Sequence, residues 1–281
     1  MYLLLAVLLC FKTGDGFAAQ SSRSLRHYDP SGTMSQRIEL PADLAEVSGL
    51  AFTPDGRLFA HGDEQAVVYQ IDLELGRPVK RFGIGGPAGP LRGDFEDIEV
   101  VEERVFLVAS SGEVIEAREG ADGETVSIVR RTRGLGGACE VEGMTWDKGS
   151  RSLLLLCKQA SGKRWKGKAV VLALSPDTGE FEPEPRLLVA ESELQQVTDA
   201  RRFAGSAIVR HPRSGTYLLL AGPQRLYAEV DSAGRVLGGG ALSVDRHRQP
   251  EGIAIAPDLT LLISDEAAKQ AATITGYAYR P

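Results

Sequence analysis

The chain has few of the residue types that disulfide scaffolds and transition-metal sites require. Its 281 residues include three cysteines and four histidines, and the histidines show no spacing typical of metal ligands. The sequence contains no G-x-S-x-G, H-E-x-x-H or EF-hand calcium loop, so none of these signatures indicates an activity. A formal net charge of −6 provides no excess of Lys and Arg, which argues against binding to the phosphate backbone of nucleic acid. A hydrophobic share of 43% is sufficient for a globular core.

An uninterrupted apolar run occurs at the N-terminus, at residues 2–11 (YLLLAVLLCF). It is too short to cross a bilayer as a helix, which takes about 20 residues, but it suits the apolar region of a signal peptide. The tripeptide GFA at residues 16–18 has the small-x-small pattern of a cleavage site, although no Lys or Arg precedes the run. We therefore expect residues 1–18 to be a signal peptide or short membrane segment and residues 19–35 an extension. Residues 36–281 would form one domain, periplasmic or anchored to the inner membrane facing the periplasm.

One pattern recurs five times along the chain: an apolar strand, a turn rich in Pro, Asp and Gly, and a second apolar strand. The copies begin at Ser48, Glu96, Glu142, Ser206 and Glu251, which are 48, 46, 64 and 45 positions apart. Further strands follow in most copies, such as residues 67–71 (VVYQI). A period of 45–50 residues with four short strands per unit is typical of propeller blades.

The repeat predicts an all-β fold, a five-bladed β-propeller of four-stranded blades. The last unit ends without room for a fourth strand, and residues 36–40 (QRIEL) form an unassigned strand before the first unit. We predict that this strand closes the ring by pairing with residues 273–279, because closure removes exposed sheet edges. A helix is predicted at residues 191–200, inside the one long interval. A six-bladed ring with a degraded blade in residues 147–205, or an open solenoid, remains an alternative.

Four of the copies carry a family resemblance. The segments EVSGLAFTPDGRLFAHGDE, DFEDIEVVEERVFLVASSGEVIEA, CEVEGMTWDKGSRSLLLLCK and QPEGIAIAPDLTLLISDE resemble successive blades of the SdiA-regulated family of exported bacterial propellers, which are distantly similar to NHL-repeat proteins. The resemblance runs from about Leu40 to Glu266. It implies a five-bladed propeller with a calcium site and no established catalytic activity. The fourth copy departs most, with GSA at residues 205–207.

The first residues of the five copies predict a ring around the central channel, because each copy begins with the innermost strand of its blade. Three carboxylates, from Glu96, Glu142 and Glu251, would converge there with the hydroxyls of Ser48 and Ser206. Like charges at close range raise one another's pKa, and Ca²⁺, which takes six to eight oxygen ligands, would relieve the repulsion. We therefore predict Ca²⁺ bound by the three glutamates. The alternative is that each glutamate accepts strand N–H groups or lines a wet channel.

Further side chains are predicted to face the same channel mouth. The second strands end there and supply His61, Asp63, Glu64, Ser110, Lys158, Asp265 and Glu266. Of these, Asp63 and Asp265 are expected to face the axis, and Arg225 borders the mouth. These residues are candidates for contact with a ligand. The alternative is that the strand-end residues are solvated charges. A basic run at residues 163–168 (KRWKGK) is expected to be an exposed hairpin loop, with docking to an anionic membrane surface as the alternative.

Two hypotheses for function follow. The first is a non-catalytic, calcium-binding propeller on the periplasmic side that binds a small ligand or a protein partner at the channel mouth. The second is a metal-dependent esterase, lactonase or phytase-like hydrolase, with His61 or Asp265 as the general base. The fold does not decide between them.

Cys139 and Cys157 are the two cysteines beyond the N-terminal segment, and export would place them in an oxidising compartment. Cys139 begins the inner strand of the third copy, and Cys157 ends the next strand. Antiparallel pairing about a turn near residues 148–150 sets residue 142 opposite residue 157. We therefore predict a disulfide, with a buried free cysteine as the alternative for Cys157.

Overall fold

A computed structural model describes residues 23–135 and 137–281. The signal peptide or membrane segment predicted at residues 1–18 lies outside the described residues, so it remains a prediction. Within the range, no helix is long and apolar enough to cross a bilayer.

The described chain is all-β, with 49% strand and 8% helix, and its strands form five four-stranded blades in a ring. The predicted five-bladed propeller is confirmed, and the six-bladed alternative is not. The strands in chain order are β1 (Gln36–Glu39), β2 (Val47–Phe52), β3 (Leu58–Gly62), β4 (Val67–Asp72), β5 (Arg77–Gly86), β6 (Gly89–Pro90), β7 (Phe95–Val101), β8 (Arg104–Ala109), β9 (Val114–Arg118), β10 (Thr125–Ser127), β11 (Arg130–Thr132), β12 (Cys139–Asp147), β13 (Ser152–Ala160), β14 (Lys168–Ser175), β15 (Glu180–Phe181), β16 (Leu187–Ala190), β17 (Ala207–Arg210), β18 (Tyr217–Ala221), β19 (Leu226–Val230), β20 (Val236–Ala241), β21 (Pro250–Ile255), β22 (Leu261–Asp265) and β23 (Thr273–Tyr277).

Each blade is an antiparallel sheet that starts with its innermost strand. Blade 1 has the order β2-β3-β4-β5, blade 2 β7-β8-β9-β11 and blade 4 β17-β18-β19-β20. In blade 3, β12, β13 and β14 are followed by β15 and β16, which both pair with β14. Blade 5 is β21-β22-β23-β1. Strand β10, which follows blade 2's third strand in sequence, pairs in parallel with β5 of blade 1.

The ring closes as the sequence predicts, through the N-terminal strand β1. It pairs antiparallel with β23, with Gln36 opposite Gly276 and Glu39 opposite Thr273. Ile38 is buried in the cluster that joins blades 5 and 1. The C-terminal blade therefore has no unpaired strand at that edge, which would otherwise invite association with other chains.

The hydrophobic core lies between neighbouring blades. Phe59 and Ile98 belong to the cluster between blades 1 and 2, whereas Leu156 and Ile208 belong to the cluster between blades 3 and 4. Each blade is thus covered on both faces, which explains why its strands are nearly continuous apolar runs.

The long interval before the fourth copy holds the helix α1 (Glu191–Thr198), close to the predicted residues 191–200. Its Leu194 is buried in the cluster between blades 3 and 4. The insertion therefore covers the outside of existing blades and adds no sixth blade.

The second position of the repeat is glycine in three of the five copies, and at Gly143 and Gly252 the backbone of the next blade's inner strand lies very close. A Cβ atom on Gly252 of blade 5 would lie 2.7 Å from the carbonyl oxygen of Ser48 in blade 1. A Cβ atom on Gly143 of blade 3 would lie 2.8 Å from the Cα atom of Ala207 in blade 4. No side chain fits at either place, so glycine is required by packing around the channel.

Candidate functional site: an acidic axial cavity

A cavity of about 270 Å³ lies where the inner strands begin. We call it the axial cavity. All five first positions of the repeat line it, together with residues from the ends of neighbouring strands. Its lining residues are Ser48, Asp63, Asp94, Glu96, Glu140, Glu142, Lys158, Ser206, Pro223, Glu251 and Glu266.

Bulges in the inner strands direct the first-position side chains toward the axis. In β2, β7, β12 and β21 the pairing register slips at the strand start, and Ser48, Glu96, Glu142 and Glu251 have no partner residue on the second strand. A bulged residue is unpaired and changes the direction of its side chain. The same bulge at the start of the inner strand in four blades therefore brings these side chains together around the axis.

The axial cavity is strongly acidic, with seven carboxyl groups and a single lysine. The Nζ atom of Lys158 donates a hydrogen bond to Oε1 of Glu142 at 2.9 Å and lies 3.8 Å from Oε1 of Glu140. Burial alone would lower the pKa of Lys158, but its hydrogen bond to Glu142 and the surrounding carboxylates raise that pKa. Lys158 therefore stays protonated and acts as the counter-ion for one side of the ring.

The carboxyl groups farther from this ion pair have strongly raised pKa values. Burial, followed by repulsion from Glu142, raises the pKa of Glu96 to about 8. Burial and repulsion from Glu266 raise the pKa of Glu251 to about 8. The pKa of Glu266 is raised to about 7 by burial and by Asp63. Without a cation, Glu96 and Glu251 are therefore largely protonated near neutral pH, because one lysine does not balance the charge that the cavity would carry if they ionised.

The two serine hydroxyls are engaged with nearby backbone. The amide of Gly222 donates a hydrogen bond to Oγ of Ser206 at 3.0 Å, and Oγ of Ser48 donates to the carbonyl of Glu46 at 3.4 Å. Both oxygens retain lone pairs, so they can still accept from a ligand or contribute to a cation's coordination.

The donor chemistry of the axial cavity suits a hard cation, because its lining offers carboxylate and hydroxyl oxygens and no His or Cys. Among the described residues, however, no three His, Cys, Asp or Glu side chains are grouped closely enough to hold a metal ion. Glu142 is directed to Lys158 instead. The side chain of Glu142 thus pairs with an ammonium group, and the Ca²⁺ site remains a prediction.

His61 does not line the axial cavity, although the end of its strand predicts it at the channel mouth. It is fully buried, with Nδ1 2.8 Å from the carbonyl oxygen of Gly62. Its Nε2 atom lies 2.6 Å from the position of a Cβ atom on Gly49, and Oδ1 of Asp97 lies 2.5 Å from that position. The imidazole fills the space that glycine leaves between blades 1 and 2, and burial lowers its pKa to about 4.

Asp265 and Arg225 also do not line the axial cavity. Oδ2 of Asp265 lies 2.7 Å from Nδ1 of His247, and the other nitrogen of that imidazole lies 2.5 Å from the hydroxyl of Tyr277. This buried chain holds the carboxylate within blade 5. Arg225 ends a tight turn with φ of 54°, and the same turn presents Pro223 to the cavity. Of the strand-end candidates, Asp63, Lys158 and Glu266 line the cavity, and Asp63 lies at its border with a larger groove.

Sequence reasoning missed Asp94 and Glu140 as members of the site. Asp94 and Glu140 precede ring glutamates by two positions, so the period-two alternation of a strand would have placed them on the same side.

Below the ring, the carboxyl groups of the buried Asp97 and the half-buried Glu99 join blade 2 to blade 3. Asp97 accepts a hydrogen bond from the amide of Met144 at 2.6 Å, and Glu99 accepts one from the amide of Trp146 at 2.6 Å. Burial raises the pKa of Asp97 well above its usual range and that of Glu99 to about 7. The inner strands of blades 2 and 3 are thus joined by hydrogen bonds from backbone amides of β12 to side-chain carboxyl groups of β7.

A disulfide joins Cys139 and Cys157, whose Cα atoms are 5.5 Å apart. The register differs by one residue from the prediction, because the bulge sets Val141, and not residue 142, opposite Cys157. The bond links the strand that carries Glu140 and Glu142 to the strand that carries Lys158. It thereby supports the ion pair at the cavity.

Comparison with known proteins identifies the fold. No protein-family model matches the chain, and a search of the curated proteins finds no similar sequence. Glutaminyl cyclase from Myxococcus xanthus is structurally similar, with a TM-score of 0.61 and 15% identity over 88% of this chain and 96% of that one. A PQQ-bound aldose sugar dehydrogenase from Streptomyces coelicolor has a TM-score of 0.55 and 12% identity over 88% and 97% of the two chains.

A third similar structure is a calcium-binding protein, regucalcin, from Agrobacterium tumefaciens. Its TM-score is 0.54 and its identity 9%, over 88% of this chain and 96% of that one. At these identities the similarity extends to the fold alone. The chain is thus similar to β-propeller proteins of several different activities.

Proposed function

We propose that the protein is a non-catalytic binding propeller whose axial cavity takes a hard cation, with Ca²⁺ as the first candidate. The observation that carries this proposal is the collection of seven carboxyl groups around one lysine in a cavity of about 270 Å³. The raised pKa values of Glu96 and Glu251, both about 8, mean that their ionisation is costly without a cation. A bound cation would favour the ionised form.

Glu96, Glu142 and Glu251 would hold the ion, with Ser48 and Ser206 as further oxygen donors. Glu142 would exchange the ammonium group of Lys158 for the cation, so Lys158 would compete with the ion. The calcium-binding regucalcin among the similar structures supports this choice of ion weakly, since the similarity concerns the fold.

The remaining parts of the proposal concern place and partner. We place the protein in the bacterial periplasm, on the basis of the apolar segment at residues 2–11 and the disulfide. A small ligand or a protein partner would bind at the channel mouth above the ion. The five-bladed ring and the repeat segments support membership of the SdiA-regulated family.

Metal-stripped protein provides the test. Saturating Ca²⁺ should raise its melting temperature, because an ion at 100 times its dissociation constant stabilises the folded state by about 2.7 kcal/mol. The variant E96Q/E251Q should lose most of this shift. The variant K158M should bind Ca²⁺ more tightly than wild type, because Glu142 loses its competing partner.

A further measurement with Mg²⁺ completes the test. Mg²⁺ at equal concentration serves as the ionic-strength control and should have a smaller effect, since it demands a stricter octahedral geometry. If metal-stripped wild type and K158M both melted at temperatures independent of Ca²⁺, the cation proposal would fail.

One observation supports a second candidate, the metal-dependent hydrolase. A carboxyl group with a pKa near 8 in a cavity is suited to general acid–base chemistry, and Glu96 has this property. His61 and Asp265, the bases expected from sequence, do not line the cavity. Esterase, lactonase and phytase substrates with added Ca²⁺ would separate the candidates: turnover abolished by E96Q would favour the hydrolase.

A further inference from the structure

A second charged cavity lies on the face opposite the axial cavity. Strand β17 starts beside Ser206 in the axial cavity and ends at Arg210, so the turn at residues 211–216 belongs to the far face. There a cavity of about 220 Å³ is formed with the N-terminal segment and the last residues of the chain. We call it the arginine cavity. Its lining includes Arg23, Ser24, Arg26, His27, Arg213 and Ser214, and no Asp or Glu.

The N-terminal side of the arginine cavity is held by a buried carboxylate. Glu229 is fully buried and accepts hydrogen bonds from the amides of Ser24 at 2.7 Å and Leu25 at 3.0 Å. It also accepts from Oγ1 of Thr216 at 2.6 Å. The hydroxyl of Tyr28 donates to the carbonyl of Leu259 at 2.8 Å. Arg23 and Arg26 are therefore attached to a fixed segment beside Arg213.

The three arginines carry positive charge that the described residues do not neutralise. None of Arg23, Arg26 and Arg213 takes part in an ion pair in residues 23–135 and 137–281. Arg26 donates a hydrogen bond from Nε to Nε2 of His27 at 3.2 Å, and the guanidinium of Arg213 lies 5.7 Å from the ring centre of Tyr279. Both contacts orient a guanidinium group and leave other N–H donors available.

The neighbouring groups do not cancel this charge. Glu229 lies behind Ser24 and contributes one negative charge, which the three guanidinium groups outnumber. Burial lowers the pKa of His211 to about 4, so this histidine is neutral and the positive charge comes from the arginines. The hydroxyls of Ser24 and Ser214, whose oxygens lie 3.2 Å apart, form the polar floor between them.

We propose that the arginine cavity binds the phosphate group of a ligand. The planar guanidinium group offers paired N–H donors that match phosphate oxygens, and several such groups converge here. The phosphate would come from an anionic lipid headgroup or from a free phosphate compound. The lipid source agrees with the sequence, since the apolar run at residues 2–11 precedes Arg23 by a short segment and polybasic sites beside membrane segments bind anionic lipids.

The test compares two double variants of the full chain that remove equal charge. R26Q/R213Q changes the arginine cavity, and R201Q/R248Q changes two exposed arginines outside it. Inorganic phosphate binding is measured by calorimetry at constant ionic strength, with chloride as the reference anion. Wild type and R201Q/R248Q should bind alike, and R26Q/R213Q should bind about tenfold or more weakly, as expected for lost hydrogen bonds to a charged group.

Vesicles distinguish the two sources. If the ligand is a lipid headgroup, vesicles that contain phosphatidylglycerol should bind wild type and R201Q/R248Q better than R26Q/R213Q. Vesicles of phosphatidylcholine alone should show no such difference. Equal vesicle binding with unequal phosphate binding identifies a free phosphate compound. If R26Q/R213Q and R201Q/R248Q matched wild type with both phosphate and vesicles, the proposal would be overturned.

Discussion

At the scale of single residues, the site depends on where side chains find space around the channel. Gly49 has no side chain, and the imidazole of His61 and the carboxyl group of Asp97 occupy the volume beside it. Nδ1 of His61 is paired with the carbonyl of Gly62, whereas Nε2 has no hydrogen-bond partner among the described residues. A neutral histidine with its proton on Nδ1 leaves Nε2 as an acceptor near the carboxyl group of Asp97, whose pKa is raised well above its usual range by burial.

We predict that Gly49→Ala destabilises the fold by about 1–3 kcal/mol, the usual effect of an added methyl group in a packed interior. The new Cβ atom would lie 2.5 Å from Oδ1 of Asp97 and 2.6 Å from Nε2 of His61. Gly238→Ala is the matched control, since no atom lies within 4 Å of its added Cβ. Urea denaturation of both variants measures the difference. Equal stability of the two variants would show that His61 and Asp97 can move away from the added methyl group without a cost in free energy.

At the scale of elements, the N-terminal strand has a role separate from the extension before it. Strand β1 completes blade 5, whereas residues 23–28 are held on blades 4 and 5 by Glu229 and Leu259. The two segments act through different contacts, so their deletions should have different effects.

We predict that deletion of residues 1–40 causes aggregation, because β23 becomes an unpaired sheet edge. Deletion of residues 1–35 keeps β1 and should leave a monomer that melts at a lower temperature than the full chain. Size-exclusion chromatography with light scattering reports the association state of each. A monomeric protein after the longer deletion would mean that β1 pairing does not protect the edge.

At the scale of the whole molecule, the acidic cavity makes stability depend on pH. Glu96 and Glu251 have folded-state pKa values of about 8, above the unfolded value, so the folded state binds more protons than the unfolded state. Their contribution is complete at low pH and is lost as the pH rises through about 8. The buried histidines His61 and His211, with pKa values of about 4, act in the opposite direction but below pH 6.5.

We therefore predict that, without divalent cations, the free energy of unfolding falls by roughly 1–2 kcal/mol between pH 6.5 and 8.5, since one pKa unit corresponds to about 1.4 kcal/mol and solvent access reduces the full value. The variant E96Q/E251Q should show about half this slope, because Glu99 and Glu266 also titrate near pH 7. Denaturant melts across this range measure it. A flat wild-type profile would contradict the raised pKa values.

The sequence alone determined the architecture and the membership of the ring. The repeat of Ser48, Glu96, Glu142, Ser206 and Glu251 has a blade-length period, and strand starts at equal blade positions must converge on one axis. The last unit is one strand short, which indicates the closing strand at residues 36–40, and the one long interval between copies indicates the location of α1. These features depend on local patterns that recur along the chain, which is why a single sequence suffices to find them.

Only the tertiary structure decided what each strand-end side chain contacts. Lys158 pairs with Glu142 because a bulge in β12 and the disulfide align the two strands. His61 enters the gap at Gly49, and Asp265 faces His247. The direction of a side chain at a strand end depends on bulges and on gaps in the neighbouring blade. Residues that form such a contact lie far apart in sequence, so no local pattern encodes it.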